Sequence, residues 1–403
     1  MTAHAFISDP VPASLIDGQG FCPFIPVFGP PRIMFERGAG TELWATDGRR
    51  YLDFLSGIAV VSLGHCNPAV SKAIAAQAST LMHVSNFFSN PVATEAAMRI
   101  SALMRDAGAG DGQVFFCNSG AEANEAAIKI ARKFGGRGRH SIVTAFGSFH
   151  GRTLGALALT GQPAKHEVFQ PMPEGFRYAA YGDIEAIRSV SDPGVAAVML
   201  EPIQGEGGVV PADPAYLRAV REMCTERGML LMVDEVQTGF CRTGKWFGFE
   251  HADIAPDVVT FAKGMGNGMP VGAVWARRDV AAVMSPGDHG STYSGTAIAT
   301  AAVNAVIKEM SRIDACGLAV RAGERIRDGL AGLAGVDHVR GAGLLLGVAL
   351  AEGRDAVAAA SALLDRGLIV NAVNASTLRL APPLTVSDRE IDEAIALIAE
   401  VLS

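Results

Sequence analysis

Residues 230–240 read LLMVDEVQTGF. Leu230 to Val233 make an apolar run of strand length, and Asp234 and Glu235 follow with no polar lead-in. A short run that is apolar at every position fits a strand covered on both faces, as in parallel sheets flanked by helices. A carboxylate at the mouth of such a strand costs free energy unless something pairs with it. Side chains alternate along a strand, so Asp234 and Val236 point one way and Glu235 the other. Asp234 is therefore expected to face a cleft and to need a cation there.

The surrounding sequence repeats this pattern. VFFCNS (114–119), SIVTAF (141–146), VAAVMLEP (195–202) and DVVTFAKG (257–264) are further apolar runs. Helical segments lie between them. One is GAEANEAAIKIARKF, from Gly120; another is DPAYLRAVREMCTERG, with Leu217, Val220 and Cys224 on one face and Gly228 as its stop. Alternating strands and helices predict an α/β fold with a large, mostly parallel central sheet. Upstream, TELWATDGRRYLDFLSGIAV (41–60) reads as two short strands around an Asp47-Gly48 turn. The proline-rich first 40 residues read as an arm. Beyond about residue 290 an Ala-rich helix from Thr296 to Met310 leads into a smaller α+β domain. The expected division is an arm and hairpin over 1–65, forming part of the small domain, a large domain over 66–290 and a C-terminal small domain over 291–403.

Composition narrows the function. The chain has 403 residues, 49% hydrophobic and 19% charged, which is globular rather than disordered. A net charge of −7 argues against an electrostatic nucleic-acid binder. No apolar run approaches the roughly 18 residues that span a bilayer. Asp9, Asp17 and several prolines break any signal-peptide core, so a soluble cytoplasmic protein is expected. Six scattered cysteines without a CxxC read as reduced thiols, neither a disulfide framework nor a zinc site, and no metal is expected.

Ligands of open α/β sheets bind beyond the carboxyl ends of the strands. In CNSGAEANEAA, Ser119 and Glu122 have the spacing of a capping box. The segment is either a well-capped helix or a phosphate site in which Gly120 and Ala121 expose backbone N–H groups. GSFHGRTLGALALTG places Phe149, His150 and Arg152 in a turn; Arg152 suits a carboxylate ligand or an ordinary surface ion pair. LEPIQGEGG offers Glu201 and Glu206, as an acid–base pair or as a counter-ion to an arginine. Lys263, in TFAKGMGNGMPVGAV, closes an apolar strand before a glycine-rich loop. Most lysines are solvated, but burial would lower the pKa of this one and make it a nucleophile for Schiff-base chemistry.

Two rival readings of Asp234-Glu235 fail. GFCRTGKW (239–246) nearly makes a P-loop, but Trp246 stands where a hydroxyl should bind Mg²⁺, and the loop follows the acidic strand. A two-carboxylate metal or glycosidase site lacks a histidine cluster and needs adjacent residues on one face. A helix start for phosphate, a buried lysine and an aspartate for a pyridinium nitrogen together match the needs of pyridoxal 5′-phosphate (PLP).

NSGAEANEAA, FHGRTLGAL, EPIQGEGG, DEVQTGFCRTGKWF, AKGMGNGMPVGA, HGSTY and LRLAPPL, in this order from residue 118 to 384, resemble the class III aminotransferases of PLP fold type I. Within that class the likeness is greatest to members acting on acetylornithine. The resemblance implies that Lys263 holds PLP covalently and shuttles the proton, and that Asp234 keeps the pyridine nitrogen protonated. Gln237 would bond the ring O3′, Phe149 and Val236 would sandwich the ring, and Gly120 and Ala121 would bind the phosphate. Thr292 would reach the phosphate of a neighbouring subunit, with Ser291 beside it near the substrate, so a homodimer is implied. Arg152 would bind the α-carboxylate of the amino donor, and Arg379 that of 2-oxoglutarate or glutamate, with Glu206 covering Arg379 in between. The implied reaction transfers the 5-amino group of N2-acetyl-L-ornithine to 2-oxoglutarate, in arginine biosynthesis. Succinylornithine, ornithine, succinyl-diaminopimelate and 4-aminobutyrate transaminases share these cofactor residues, and a non-catalytic binding protein of the same fold is the remote alternative. Where many relatives carry a Gly-Gly-Asn-Pro run after HGSTY, this chain has SGTA (294–297).

Overall fold

A computed structural model describes residues 25, 27, 28 and 31–403. The expected N-terminal arm lies largely outside the described residues. Its end is regular: β1 (Phe35–Ala39) pairs antiparallel with β2 (Glu42–Ala45), and β2 with β3 (Arg50–Asp53) around the Asp47-Gly48 turn. β1 is mostly exposed and charged, so it carries no apolar alternation to announce it.

The main sheet is built from β4 (Gly112–Cys117), β5 (Ser141–Ala145), β6 (Phe176–Ala179) and β7 (Val195–Leu200), then, after a two-residue ribbon of β8 (Ile203–Gln204) and β9 (Val210–Pro211), from β10 (Leu230–Asp234), β11 (Val258–Phe261) and β12 (Gly272–Arg277). Its order is β4-β12-β11-β10-β7-β5-β6. β12 runs antiparallel to both neighbours, and the remaining pairs are parallel. Every residue of β5, β7, β10 and β11 is buried, as runs that are apolar on both faces require. β6 and β12 were not among the strands read from sequence. β12 hides in the glycine-rich stretch after Lys263, where VGAVWA reads as the tail of a loop.

A second sheet, β13-β14-β17-β16, comprises β13 (Val336–Ala342), β14 (Leu345–Leu350), β16 (Asn371–Asn374) and β17 (Thr377–Leu380). Between its strands in sequence, β15 (Leu368–Ile369) joins the N-terminal hairpin by pairing parallel with β3. The helix Ala297–Arg312 packs on the helices Pro68–Ala78 and Pro91–Asp106.

Because the chain enters β4, β5, β7, β10 and β11 in one direction, all five release their following residues at one edge of the sheet. Asp257 fixes that register from the opposite edge. It is 2% exposed, accepts from Leu231 N–H and Arg221 Nη1 at 2.7 Å, and lies 2.6 Å from Arg277 Nη1. It thereby ties the helix Pro214–Glu226 to the second residue of β10 and the last residue of β12. Asp257→Ala is expected to destabilise the fold by about 3 kcal/mol, because it leaves the buried Leu231 N–H unpaired and removes the carboxylate that Arg221 and Arg277 share. Thermal unfolding should show a Tm lowered by on the order of 5 °C; a Tm within a degree of the parent would refute this role.

Candidate active site

Asp234 ends β10 and is 4% exposed. Its Oδ2 accepts from His150 Nδ1 at 2.8 Å and from Asn124 Nδ2 at 2.9 Å, and its Oδ1 accepts from Val236 N–H at 2.9 Å. His150, wholly buried, is thus a protein partner of this carboxylate that local sequence does not announce. Burial pushes the His150 pKa down, but the hydrogen bond and charge of Asp234 outweigh it and raise the pKa above the ordinary value. Oδ1 receives a single hydrogen bond and has capacity for another donor.

Glu235 turns away, as alternation predicts. It is fully buried and accepts from Thr238 Oγ1 at 2.5 Å and from Gly248 and Phe249 N–H at 2.8 Å. Burial raises its pKa to about 7, against the pull of those donors. It pins the turn that follows β10 and has no place in the chemistry. The P-loop-like stretch is structural too: buried Arg242 donates to Leu344 O, Pro382 O and Ser62 Oγ.

Asp234 opens into a cavity of about 280 Å³ whose walls include Gly120, Ala121, Phe149, Arg152, Glu206, Val236, Gln237 and Lys263. Asn124, His150 and Glu201 also line it. The helix Gly120–Gly135 starts at this wall, with Ser119 Oγ accepting from Glu122 N–H at 3.2 Å. The expected capping box is only half made, because Glu122 Oε2 instead accepts from Asn118 N–H at 2.7 Å and Nδ2 at 2.8 Å. A Cβ on Gly120 would sit 2.8 Å from Val236 Cγ1, so glycine is what lets the helix start and the Asp234 turn meet.

Lys263 follows β11 with φ +45, a left-handed backbone that is costly for a side chain other than glycine. Burial, and after it the charge of Arg379, lower its pKa to about 8 against the pull of Glu206, Asp234 and Glu201. Glu206 Oε1 lies 2.5 Å from Arg379 Nη1, and Arg379, 1% exposed, also donates to Gln237 Oε1 at 3.3 Å and to Asn371 Oδ1 at 3.1 Å. Burial works against ionisation of Glu206, but Arg379 wins and its pKa falls below the usual carboxylate value. The Arg152 guanidinium stands 5.6 Å from the centroid of the Phe149 ring, and the Lys165 ammonium does the same. Lys165, its pKa lowered by burial and by Arg152, was not singled out in the sequence.

Ser291 and Thr292 are not part of this wall. Ser291 Oγ accepts from Asn118 Nδ2 at 3.0 Å, next to the helix start, and Thr292 is exposed.

The aminotransferase class III profile matches residues 27–402. The chain belongs to this family. An acetylornithine aminotransferase of Caldanaerobacter subterraneus subsp. tengcongensis is 47% identical over 380 residues, covering 92% of this chain and 95% of the relative. The crystal structure of N-acetylornithine aminotransferase from Stenotrophomonas maltophilia K279a superposes with TM-score 0.80 at 33% identity, over 93% of this chain and 96% of that one. The ornithine aminotransferase of Toxoplasma gondii, with PLP at partial occupancy in its active site, superposes with TM-score 0.86 at 32% identity, over 92% of this chain and 90% of that one.

The residues of this class III chain fit PLP on their own chemistry. Asp234 offers an anionic acceptor for a ring N–H, Lys263 an amine for the aldehyde, and the helix start N–H groups for a phosphate. Phe149 and Val236 supply apolar surface in the same cavity. Only the free amine attacks an aldehyde, so the reactivity of Lys263 should rise with pH as its proton leaves. Competitive labelling of the cofactor-free protein with a neutral amine reagent is expected to give half-maximal modification of Lys263 near pH 8. An exposed lysine titrates at about 10.4, and a Lys263 profile centred there would contradict the buried setting.

Proposed function

We propose that this class III aminotransferase transfers the 5-amino group of N2-acetyl-L-ornithine to 2-oxoglutarate, giving N-acetyl-L-glutamate 5-semialdehyde and L-glutamate, a step of arginine biosynthesis. The observation that carries this reading is the Glu206–Arg379 pair, whose Glu206 lines the cavity together with Lys263. An enzyme of this kind must admit a donor that presents an amine at its far end and an acceptor that presents an α-carboxylate. An arginine that is covered by a carboxylate for one and released for the other serves both within a single cavity. The likeness to relatives named for acetylornithine supports this donor over other ω-amino compounds.

PLP is the cofactor, and when bound it supplies an electron sink that acidifies the carbon bearing the amino group. Asp234 would keep the ring nitrogen protonated, with His150 and Asn124 holding its carboxylate in place. Gly120 and Ala121 would bind the phosphate through N–H groups, Gln237 would donate to the phenolic oxygen, and Phe149 and Val236 would keep water off the ring. Lys263 would hold the cofactor, and as a neutral amine it would take the proton from the carbon that bears the amino group. Arg152 takes the α-carboxylate of the donor, and Arg379 that of 2-oxoglutarate or glutamate.

The assembly is read as a homodimer in which Thr292 serves the neighbour's phosphate and Ser291 its substrate side. Thr292 faces out of its own chain beside Tyr293, 63% exposed, and Phe87 and Phe88, at 92% and 72%, add apolar surface suited to a subunit contact. Among the described residues no helix is long and apolar enough to cross a membrane, and the free cysteines fit the proposed cytoplasmic location. The hairpin of residues 42–53 and the region after 291 are proposed to belong to one small domain around the large one, 66–290.

A half-reaction screen tests the substrate. Acetylornithine, succinylornithine, ornithine and 4-aminobutyrate are offered singly, and conversion of the bound cofactor is followed by its visible absorbance. Acetylornithine should give the highest kcat/KM, and a faster reaction with ornithine or 4-aminobutyrate would displace it. Glu206→Ala should raise the rate with glutamate relative to acetylornithine by about tenfold, the effect of one charge-assisted hydrogen bond; unchanged selectivity would remove the pair from the mechanism.

A further inference from the structure

Glu201 is the one carboxylate of this cavity with no part in the reaction proposed above. It follows β7, is 7% exposed, and its Oε2 accepts from Phe149 N–H at 3.0 Å. Gly205 N–H lies on the other side of the same carboxylate and favours its charged form. Glu201 therefore sits between two separate pieces of the site wall. One is the loop after β5, which carries Phe149, His150 and Arg152. The other is the turn whose next residue is Glu206.

That turn has little else to fix it from the large sheet. Gly205 closes onto Gln237, where a Cβ would meet Oε1 at 2.3 Å, and its carbonyl accepts from Val209 N–H at 3.3 Å. Val209 and Gly208 are both in left-handed conformations, at φ +53 and +117. They press on Gly347 of β14, where a Cβ would sit 2.9 Å from Val209 Cβ. The far side of the turn thus leans on the small sheet, and Glu201 holds its near side to the large one. Gln204 adds a parallel stitch, donating to Phe146 O at 2.9 Å. A buried carboxylate with a backbone N–H donating to it and, among the described residues, no arginine or lysine in an ion pair with it is an expensive way to hold a turn. Its expense is reasonable if placement of the turn matters to the chemistry.

We propose that Glu201 is a positioning residue for substrate selection, holding the turn from which Glu206 reaches Arg379 in register with the Phe149 loop. Burial raises its pKa to about 7, against the opposing charge of His150. When the anchor is lost the turn drifts, Arg379 is uncovered more of the time, and substrates that bring an α-carboxylate to it gain over the ω-amino donor. The inference rests on the two-half-reaction reading of the site.

The test uses holoenzyme of Glu201→Gln, Glu206→Ala and the double variant, with kcat/KM measured separately for acetylornithine and for glutamate. Glu201→Gln is expected to keep its cofactor absorption band, to lose about tenfold with acetylornithine and to lose less than about threefold with glutamate. In the Glu206→Ala background the same change should leave the ratio within about twofold, because two residues acting through one contact are not additive. Equal losses with both substrates, loss of the cofactor band, or the same change of ratio with and without Glu206 would each overturn the proposal. Should Glu201→Gln not fold, Glu201→Asp, which keeps the charge but draws it back by a methylene, is read in the same way. A parent enzyme that ignores acetylornithine refutes the substrate reading alone; the cycle is then run with the ω-amino donor it accepts.

Discussion

A carboxylate at the end of a wholly buried strand governs the arrangement of this molecule. Asp234 cannot be solvated where β10 delivers it, so the fold supplies a buried imidazole, an amide and a backbone N–H. Those partners come from three other places in the chain: the loop after β5, the helix that begins at Gly120, and the turn after β10 itself. Satisfying one buried charge thus draws together the segments that make the cavity. Lys263 reaches it because β11 lies parallel to β10 with Asp234 opposite Thr260, three residues before the lysine. Positive φ at Lys263 is the local strain this delivery carries.

The two adjacent acids show how the same residue type acquires different roles from backbone direction alone. Asp234 is met by an imidazole and faces the cavity. Glu235 is met by a hydroxyl and two N–H groups and serves the turn over 247–249. Had both pointed one way, their repulsion in a dry site would have forced one to hold its proton.

The apolar strands were legible because burial on both faces leaves a continuous hydrophobic run, and so the parallel sheet and its ligand-binding edge could be inferred before any coordinates. β1 was not, since an exposed edge strand has no such run. β12 was not, because its glycine also serves the loop after Lys263. At the site, Gly120, Ala121, Phe149, Arg152, Glu206, Asp234, Val236, Gln237 and Lys263 share one cavity, and Arg379 joins through Glu206. His150 was read only as a neighbour of Arg152, and Asn124 not at all. Their roles depend on a contact across 84 and 110 positions respectively, which no spacing rule encodes. Ser291 and Thr292 lie outside the cavity of their own chain, and local sequence cannot say whose cavity they face.

Arg379 is almost completely buried, and a guanidinium in that position cannot be left bare. Glu206 neutralises it, and Gln237 and Asn371 accept further hydrogen bonds from it. On the proposed reading, an arriving α-carboxylate does not create an ion pair; it replaces one. The exchange conserves charge and nearly conserves hydrogen bonds, so the free energy of admitting the second substrate is a small difference between two similar pairings. Selection at this arginine is therefore a matter of competition between carboxylates for one cation, and the outcome is set by concentration and fit rather than by a large movement of the fold.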